Sequence, residues 1–200
     1  IIVSALVISG LLGVSTWLDS ANAVETTPDS VLVSQARRAV PAPLFRPVIQ
    51  QIWNELPSGY VMRLPSVVPD ASEYAPDVWS SEGTLTVSLA ANTSGCIQSI
   101  RNGEGVPGFC LAGNIRVSAL NSRRAQQFTE WYPPNTRQTV ILANGIEGFY
   151  SQGAQSASGY FPFVAWQQEG MFYEVMLRGG SRQDIIDTAV SMSSEPPLTR

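Results

Sequence analysis

Few kinds of side chain in this sequence can carry chemistry. The 200 residues contain no His, and all 12 basic residues are Arg, so Lys is absent as well. This excludes nucleophiles activated by an imidazole, Schiff-base and Ser-Lys chemistry, and phosphate loops that need a Lys. Zinc sites are disfavoured, because they use His or several Cys and this chain has two Cys. Carboxylate chemistry remains, either as glycoside hydrolysis or as calcium binding through oxygen ligands.

Two groups of acidic residues can be compared with the requirements of glycoside hydrolysis and of calcium binding. A glycoside hydrolase needs two of them about 5 to 10 Å apart across a cleft, and three glutamates lie on or near predicted hairpins: Glu147, Glu169 and Glu174. Ordinary exposed glutamates would look the same in the sequence. A second group lacks the ligand spacing of a calcium loop and is interpreted as solvated charge: Asp70, Glu73 and Asp77. No metal site and no catalytic residue is predicted.

The two cysteines, Cys96 and Cys110, predict one disulfide bond in an exported chain. The segment between them is rich in Gly, Asn and Pro, as a bridged hairpin or surface loop would be. Residues 103–108 match the pattern G-x-G-x-x-G, but they fall inside this loop rather than between a strand and a helix. No nucleotide or other cofactor is therefore predicted.

A small, polar loop flanked by aromatic residues is the candidate ligand site. Aromatic rings suit stacking against a sugar or peptide, and Ser and Gln side chains supply hydrogen bonds. The alternative is that the aromatic residues belong to the core and the loop has no function. The candidate residues are Tyr150, Gln152, Gln155 and Tyr160, with Trp131 and Tyr132 as an extension of the same surface.

The charge balance argues against a nucleic-acid partner. The net charge is −4, whereas nucleic-acid binding needs a basic surface. The basic pair Arg123-Arg124 is interpreted as a solvated turn.

Hydrophobic periodicity predicts a helix, then strands, then a helix. Apolar residues at helical spacing from Leu44 to Leu56 indicate the first helix, and residues 65–77 read as a loop. Ser181, with Asp184 three residues later, is typical of the start of the closing helix. The predicted strands are residues 60–64, 84–89, 96–100, 115–120, 139–142, 146–150, 163–166 and 171–177. The fold class predicted is α+β: a curved antiparallel sheet of about seven strands with helices packed on one face and one disulfide.

The N-terminal residues resemble an export signal. Within residues 1–23, residues 1–14 form an uncharged apolar run, and the segment ends in a small-x-small cleavage pattern, Ala21 and Ala23 before Val24. Cleavage there predicts a periplasmic or extracellular protein, and the alternative is an uncleaved membrane anchor. The rest divides into a flexible lead-in (24–43), one α+β domain (44–193) and a C-terminal tail (194–200).

Several short motifs resemble an uncharacterised family of secreted bacterial proteins, a domain of unknown function. They are GYVMRLPS at 59–66, LANGIEGFY at 142–150, AWQ at 165–167 and YEV at 173–175. The resemblance covers about residues 44–193 and implies a helix, a two-Cys hairpin, a curved sheet and a C-terminal helix. The closing strands and helix are also similar to the sheets of outer-membrane lipoprotein carriers. The family has no established catalytic residue, so the resemblance implies none.

The function predicted is that of an exported, non-catalytic binding domain. Its partner would be a small apolar ligand, an envelope component or an envelope protein, and the membrane would be contacted only through an uncleaved signal. One alternative is a carboxylate-dependent hydrolase of envelope polysaccharide. Another is a structural or assembly protein of the envelope, which should expose a large apolar patch.

Overall fold

Antiparallel strand pairing organises the chain into one open sheet. The computed structural model describes residues 40–132, 137–153, 155–156 and 159–199. Seven strands pair in the order β2-β3-β4-β10-β9-β6-β5. Their bounds are β2 Tyr74–Ser81, β3 Thr84–Ala91, β4 Leu111–Ala119, β5 Gln138–Ile141, β6 Glu147–Ser151, β9 Phe163–Gln168 and β10 Met171–Leu177. The predicted fold class, an α+β protein with a seven-stranded antiparallel sheet and one disulfide, is confirmed.

Four α-helices and four short strands accompany the sheet. The helices are α1 Ile49–Glu55, α2 Ser94–Arg101, α3 Arg123–Trp131 and α4 Arg182–Ser194. A 3-10 helix, Pro43–Val48, leads directly into α1. The short strands form two separate pairs, β1 Val61–Met62 with β11 Leu198–Thr199 and β7 Gln155–Ser156 with β8 Gly159–Tyr160. The predicted C-terminal tail thus contains a strand.

Two Gly-containing dipeptides lie in the connections between paired strands. Glu169 and Gly170 join β9 to β10 with φ values of 51° and 77°. Asn144 and Gly145, between β5 and β6, also have positive φ, 58° and 73°. Asn and Gly tolerate this left-handed conformation, which suits Asn144, Gly145 and Gly170, whereas Glu169 adopts it without that preference.

The sheet face that we call the first face holds the main core. Alternate residues of β10, Tyr173, Val175 and Leu177, point into it. The 3-10 helix, α1 and α4 cover this face with Phe45, Ile52, Leu56, Ile185, Ala189 and Met192, all fully buried. Helix α4 starts as predicted, because Ser181 and Asp184 form a capping box.

The opposite face, the second face, carries a smaller core under a helix that the sequence analysis did not predict. Ala125 and Phe128 of α3 pack on Phe149, Phe163, Ala165 and Phe172. Arg123-Arg124 is therefore the first turn of a helix rather than a solvated turn, and Ser122 caps it by accepting from the Ala125 N–H at 3.2 Å. Helices thus cover parts of both faces.

Two predicted elements have a different conformation. Residues 96–100, expected as a strand, lie in helix α2, and Cys96 on this helix bonds to Cys110 just before β4. The two-Cys hairpin is thus a helix linked to a strand. The predicted loop 65–77 ends early, because β2 begins at Tyr74 and tolerates Pro76 as an edge strand.

The export signal, with Ala21, Ala23 and Val24, lies outside the described residues. Within the part of the chain that the structure describes, no helix has the length and apolarity needed to cross a membrane.

Candidate functional site

Buried polar side chains occupy half of the second face. Strands β3 and β4 pair so that Thr86 lies opposite Arg116 and Ser88 opposite Asn114. On β10, Glu174 lies opposite Arg116. Sheet alternation turns these residues away from the main core. Thr86, Ser88, Asn114 and Glu174 are nonetheless each at most 4% exposed, so this polar surface is enclosed rather than fully solvated.

A continuous hydrogen-bond network runs across four strands on this surface. The indole N–H of Trp79 donates to Ser88 Oγ at 3.1 Å. With the Asn114 amide oriented to satisfy both neighbours, its NH₂ donates to Ser88 Oγ and its oxygen accepts from Arg116 Nη2, each at 2.9 Å. Arg116 Nη1 then donates to Glu174. We call this set, with Arg124, the polar network.

Glu174 is the centre of the charged part of the network. Its carboxylate accepts from Arg116 on β4 and from Arg124 on α3, while only 2% of its side chain is exposed. Burial alone would raise the pKa of Glu174. The charges and hydrogen bonds of the two guanidinium groups outweigh burial, so the pKa lies below its ordinary value and the carboxylate stays ionised.

Trp79 is the largest exposed side chain at the network. Its N–H is held by Ser88, yet 44% of the residue is exposed. An indole fixed at its polar edge, with its ring open to solvent, offers a rigid apolar surface beside hydrogen-bonding groups.

Two cavities meet at Trp79 and Arg116, and together we call them the second-face groove. The larger, of 690 Å³, lies against the disulfide-closed segment, and its strand residues include Asp77, Ser88 and Asn114. The smaller, of 200 Å³, extends over the charged end of the network. Its lining residues are Trp79, Ser81, Glu82, Thr84, Thr86, Arg116, Arg124 and Gln127. The larger volume is within the range of small-molecule sites.

Asp77 lines the larger cavity, and its pKa is shifted upward, in the opposite direction to that of Glu174. Partial burial raises its pKa, and the hydrogen bond from the Val78 backbone N–H only partly opposes that effect. Asp77 is thus not simply solvated charge, as the sequence analysis interpreted it.

The predicted aromatic site is brought together only in part. Tyr150, Gln152 and Tyr160 line one cavity of 540 Å³ with Arg182, whose guanidinium lies 5.2 Å from the Tyr150 ring centre. Tyr150 is itself a core residue, 4% exposed, whereas Tyr160 is 52% exposed. The side chains of Gln155 and Trp131 lie outside what the structure describes.

Tyr132 does not extend that cavity. Its ring packs on the second face against Phe128, Phe149 and Phe163, with centroids 5.0 to 5.9 Å apart. Burial raises its pKa, and the nearby charge of Glu174 adds to this. Tyr132 is therefore a packing residue of α3.

The three glutamates considered as a catalytic pair have separate surroundings. Glu169 lies in the β9–β10 turn, where its Oε1 is 2.6 Å from Arg63 Nη2. Glu174 is enclosed between its two arginines on the second face. Glu147 is exposed at the start of β6, beside Phe149 and Thr139. Two of the three carboxylates are thus engaged by arginines in different ion pairs.

Metal ligation has no support among the residues described here, since they include no group of three or more acidic or Cys side chains placed to hold an ion.

Sequence reasoning missed the polar network, although part of its signal is visible. Hydroxyl residues alternate with apolar ones along β3, and Asn114, Arg116 and Ser118 do the same along β4. A row of polar residues on two strands indicates a polar second face, and its burial is seen only in the structure. Trp79 is nine residues from Ser88, on the neighbouring strand β2, whereas Glu174 comes from a distant part of the chain and is placed by strand order.

Comparison with known proteins adds no assignment, because no family model, curated protein or solved structure matches this chain. The resemblance to a secreted bacterial family stays a prediction.

Proposed function

We propose that this protein is an exported, non-catalytic binding domain, and that it takes a saccharide component of the cell envelope into the second-face groove. The observation that carries the proposal is the position of Trp79. Its exposed indole stands where two polar-lined cavities meet, with its N–H fixed by Ser88. Saccharide rings combine an apolar face with a rim of hydroxyl groups, and this surface offers a counterpart to both.

The groove is better suited to a polar ligand than to the apolar ligand considered in the sequence analysis. The first face, which a concave carrier would leave open, is filled by fully buried side chains such as Phe45, Tyr173 and Met192. The larger cavity of the groove is bordered both by the polar residues Asp77, Ser88 and Asn114 and by the apolar side chains of Ile100, Val106 and Leu111. An envelope component that combines an apolar ring face with hydroxyl groups therefore fits the observations best.

A structural or assembly role has weaker support. The large apolar side chains exposed on the described residues come from separate elements, for example Trp53 on α1, Phe109 before β4 and Ile141 on β5. Exposed apolar residues scattered singly are normal on a protein surface.

The test is saccharide binding by the mature, disulfide-bonded protein. A panel of soluble neutral and acidic oligosaccharides would be screened, and the ligands that bind would be titrated by calorimetry. Trp79→Ala should weaken binding by about tenfold or more, equivalent to about 1.4 kcal/mol or more. Trp53→Ala is the matched control, because Trp53 is 43% exposed and lies on α1. It should bind like the wild type.

Other outcomes would reject the proposal or move the site. Binding that Trp79→Ala leaves unchanged while Tyr160→Ala abolishes it would place the ligand in the cavity predicted from the aromatic loop. Absence of binding to every saccharide would overturn the proposal. Shortened oligosaccharides after incubation, lost in Glu147→Gln or Asp77→Asn, would support the hydrolase instead.

A further inference from the structure

The charged end of the polar network contains more positive than negative charge. Arg116 and Arg124 approach the single carboxylate of Glu174 from β4 and α3. One ionised carboxylate neutralises one guanidinium, so these three side chains carry a net charge of about +1. One arginine would be enough to neutralise the charge of Glu174, and this cluster contains two.

The two guanidinium groups of this cluster border the smaller cavity. Arg116 and Arg124 both line it, and their side chains are 19% and 26% exposed, against 2% for Glu174. Among the described residues that line this cavity, the carboxylate is that of Glu82, which lies 3.8 Å from Arg123 and is largely exposed. Asp77 lines the larger cavity and not this one. The smaller cavity therefore presents guanidinium groups beside the Trp79 ring.

We propose that the smaller cavity is an anion subsite and that the saccharide bound in the second-face groove is acidic, with a carboxylate directed at Arg116 and Arg124. This inference rests on the proposed function and names the substrate class for the same groove. Guanidinium groups match the planar geometry of a carboxylate, and their hydrogen bonds to it are charge-assisted. The saccharide ring lies against Trp79 while its acidic group enters the smaller cavity.

The ligand arm of the test compares saccharides that differ only in charge. Polygalacturonate, alginate and hyaluronan oligomers would be titrated beside carboxyl-reduced forms of each, at 50 and 300 mM salt. At least one acidic oligomer should bind about tenfold or more tightly than its reduced form, and salt should weaken only the acidic one. Equal binding of the two forms would overturn this inference while leaving the proposed function standing. Absence of binding to all six would overturn this inference, whereas the proposed function fails only if no saccharide of the wider panel binds.

The protein arm changes charge at the cavity without breaking the buried ion pairs. Gln127 lines the smaller cavity, whereas its neighbour Gln126 is exposed on α3 and bonds to the Asn121 carbonyl. Gln127→Glu should weaken binding of the acidic oligomer by about fivefold through repulsion, and Gln126→Glu should change it less than twofold. Gln127→Lys should strengthen it. Equal effects of the two glutamate substitutions would show that only overall charge matters and would overturn the subsite.

Arg124→Gln tests the cation itself. It leaves Glu174 paired with Arg116, so the buried carboxylate keeps a partner. The acidic oligomer should lose about tenfold in affinity and most of its salt dependence, and the reduced form should be unaffected. Arg182→Gln, in the separate cavity of Tyr150 and Tyr160, is the matched control. If Arg182→Gln alone lowered affinity, the anion subsite would lie in that cavity and this proposal would be wrong.

Discussion

The indole N–H of Trp79 donates to Ser88 Oγ at 3.1 Å, across the pairing of β2 with β3. Ser88 is 4% exposed, so this hydrogen bond fixes an exposed ring to a buried hydroxyl. The same oxygen accepts from the Asn114 amide. One serine therefore links the exposed aromatic surface to the rest of the polar network.

Ser88→Ala should have two effects: it should destabilise the protein, and it should release the Trp79 ring from its fixed position. Two donors, on Trp79 and Asn114, lose their acceptor, and a buried donor left unpaired costs about 1 to 3 kcal/mol. Urea denaturation should show a loss in this range, and saccharide affinity should fall because the ring is no longer held. Ser81→Ala, exposed at the end of β2, is the control and should change stability by less than about 0.5 kcal/mol. If Ser88→Ala unfolded at the same urea concentration as the wild type, the hydrogen bonds of Ser88 to Trp79 and Asn114 would be contradicted.

The ion pairs of Glu174 should make stability depend on pH in a defined direction. Because the folded state lowers the pKa of Glu174, the carboxylate contributes stability that is present above its ordinary value of 4.5. That contribution is lost as pH falls from 4.5 through the lower folded pKa. Glu174→Gln should cost about 2 to 4 kcal/mol at pH 7, since it leaves two partly buried arginines without their anion.

The measurement is denaturant unfolding of wild type and Glu174→Gln between pH 7 and pH 2.5. The difference in free energy of unfolding between the two should be constant above about pH 5 and shrink below pH 4.5. Glu147→Gln, at an exposed position, provides the comparison and should show little difference at any pH. A gap that widened on acidification would mean that Glu174 is held protonated in the folded protein.

The parts of the fold that sequence predicts are those fixed by local chemistry. Asn144-Gly145, Glu169-Gly170 and the Ser181–Asp184 capping box depend on backbone conformations of a few adjacent residues, and all three form. Residues 96–100 were assigned to a strand because a five-residue apolar-polar run does not distinguish a strand from one helical turn. The signal for α3 was present in Ser122 as N-cap with Ala125 and Phe128 three residues apart.

The candidate site, in contrast, depends on residues that are distant in the sequence. Trp79, Asn114 and Glu174 are separated from one another by 35 or more residues, and the strand order β2-β3-β4-β10 brings them onto one surface. The aromatic loop, by contrast, is contiguous in sequence, which is why it was the site that the sequence analysis selected. Its residues share a cavity, but one of its rings belongs to the core.

The disulfide between Cys96 and Cys110 should stabilise the wall of the groove. It closes a loop with a sequence separation of 14, for which the chain-entropy model gives about 3 kcal/mol. Replacement of both cysteines by Ala should lower the free energy of unfolding by about that amount, measured in urea without reductant. Adding a reductant should destabilise the wild type and leave the double variant unchanged. A wild type insensitive to complete reduction would show that the α2 segment holds its position without the bond.

Gly113 and Gly95 should respond in opposite directions to the same substitution. A Cβ at Gly113 on β4 would meet the Met176 carbonyl oxygen at 2.5 Å, inside the pairing with β10. Gly113→Ala should therefore force the two central strands apart and cost about 2 kcal/mol or more. At Gly95 on α2, an added Cβ meets nothing within 4 Å. Gly95→Ala should stabilise by about 0.5 to 1 kcal/mol through helix propensity, and thermal unfolding of both variants beside the wild type measures the contrast. Equal melting temperatures for the two variants would contradict the close approach of β4 and β10 at Gly113.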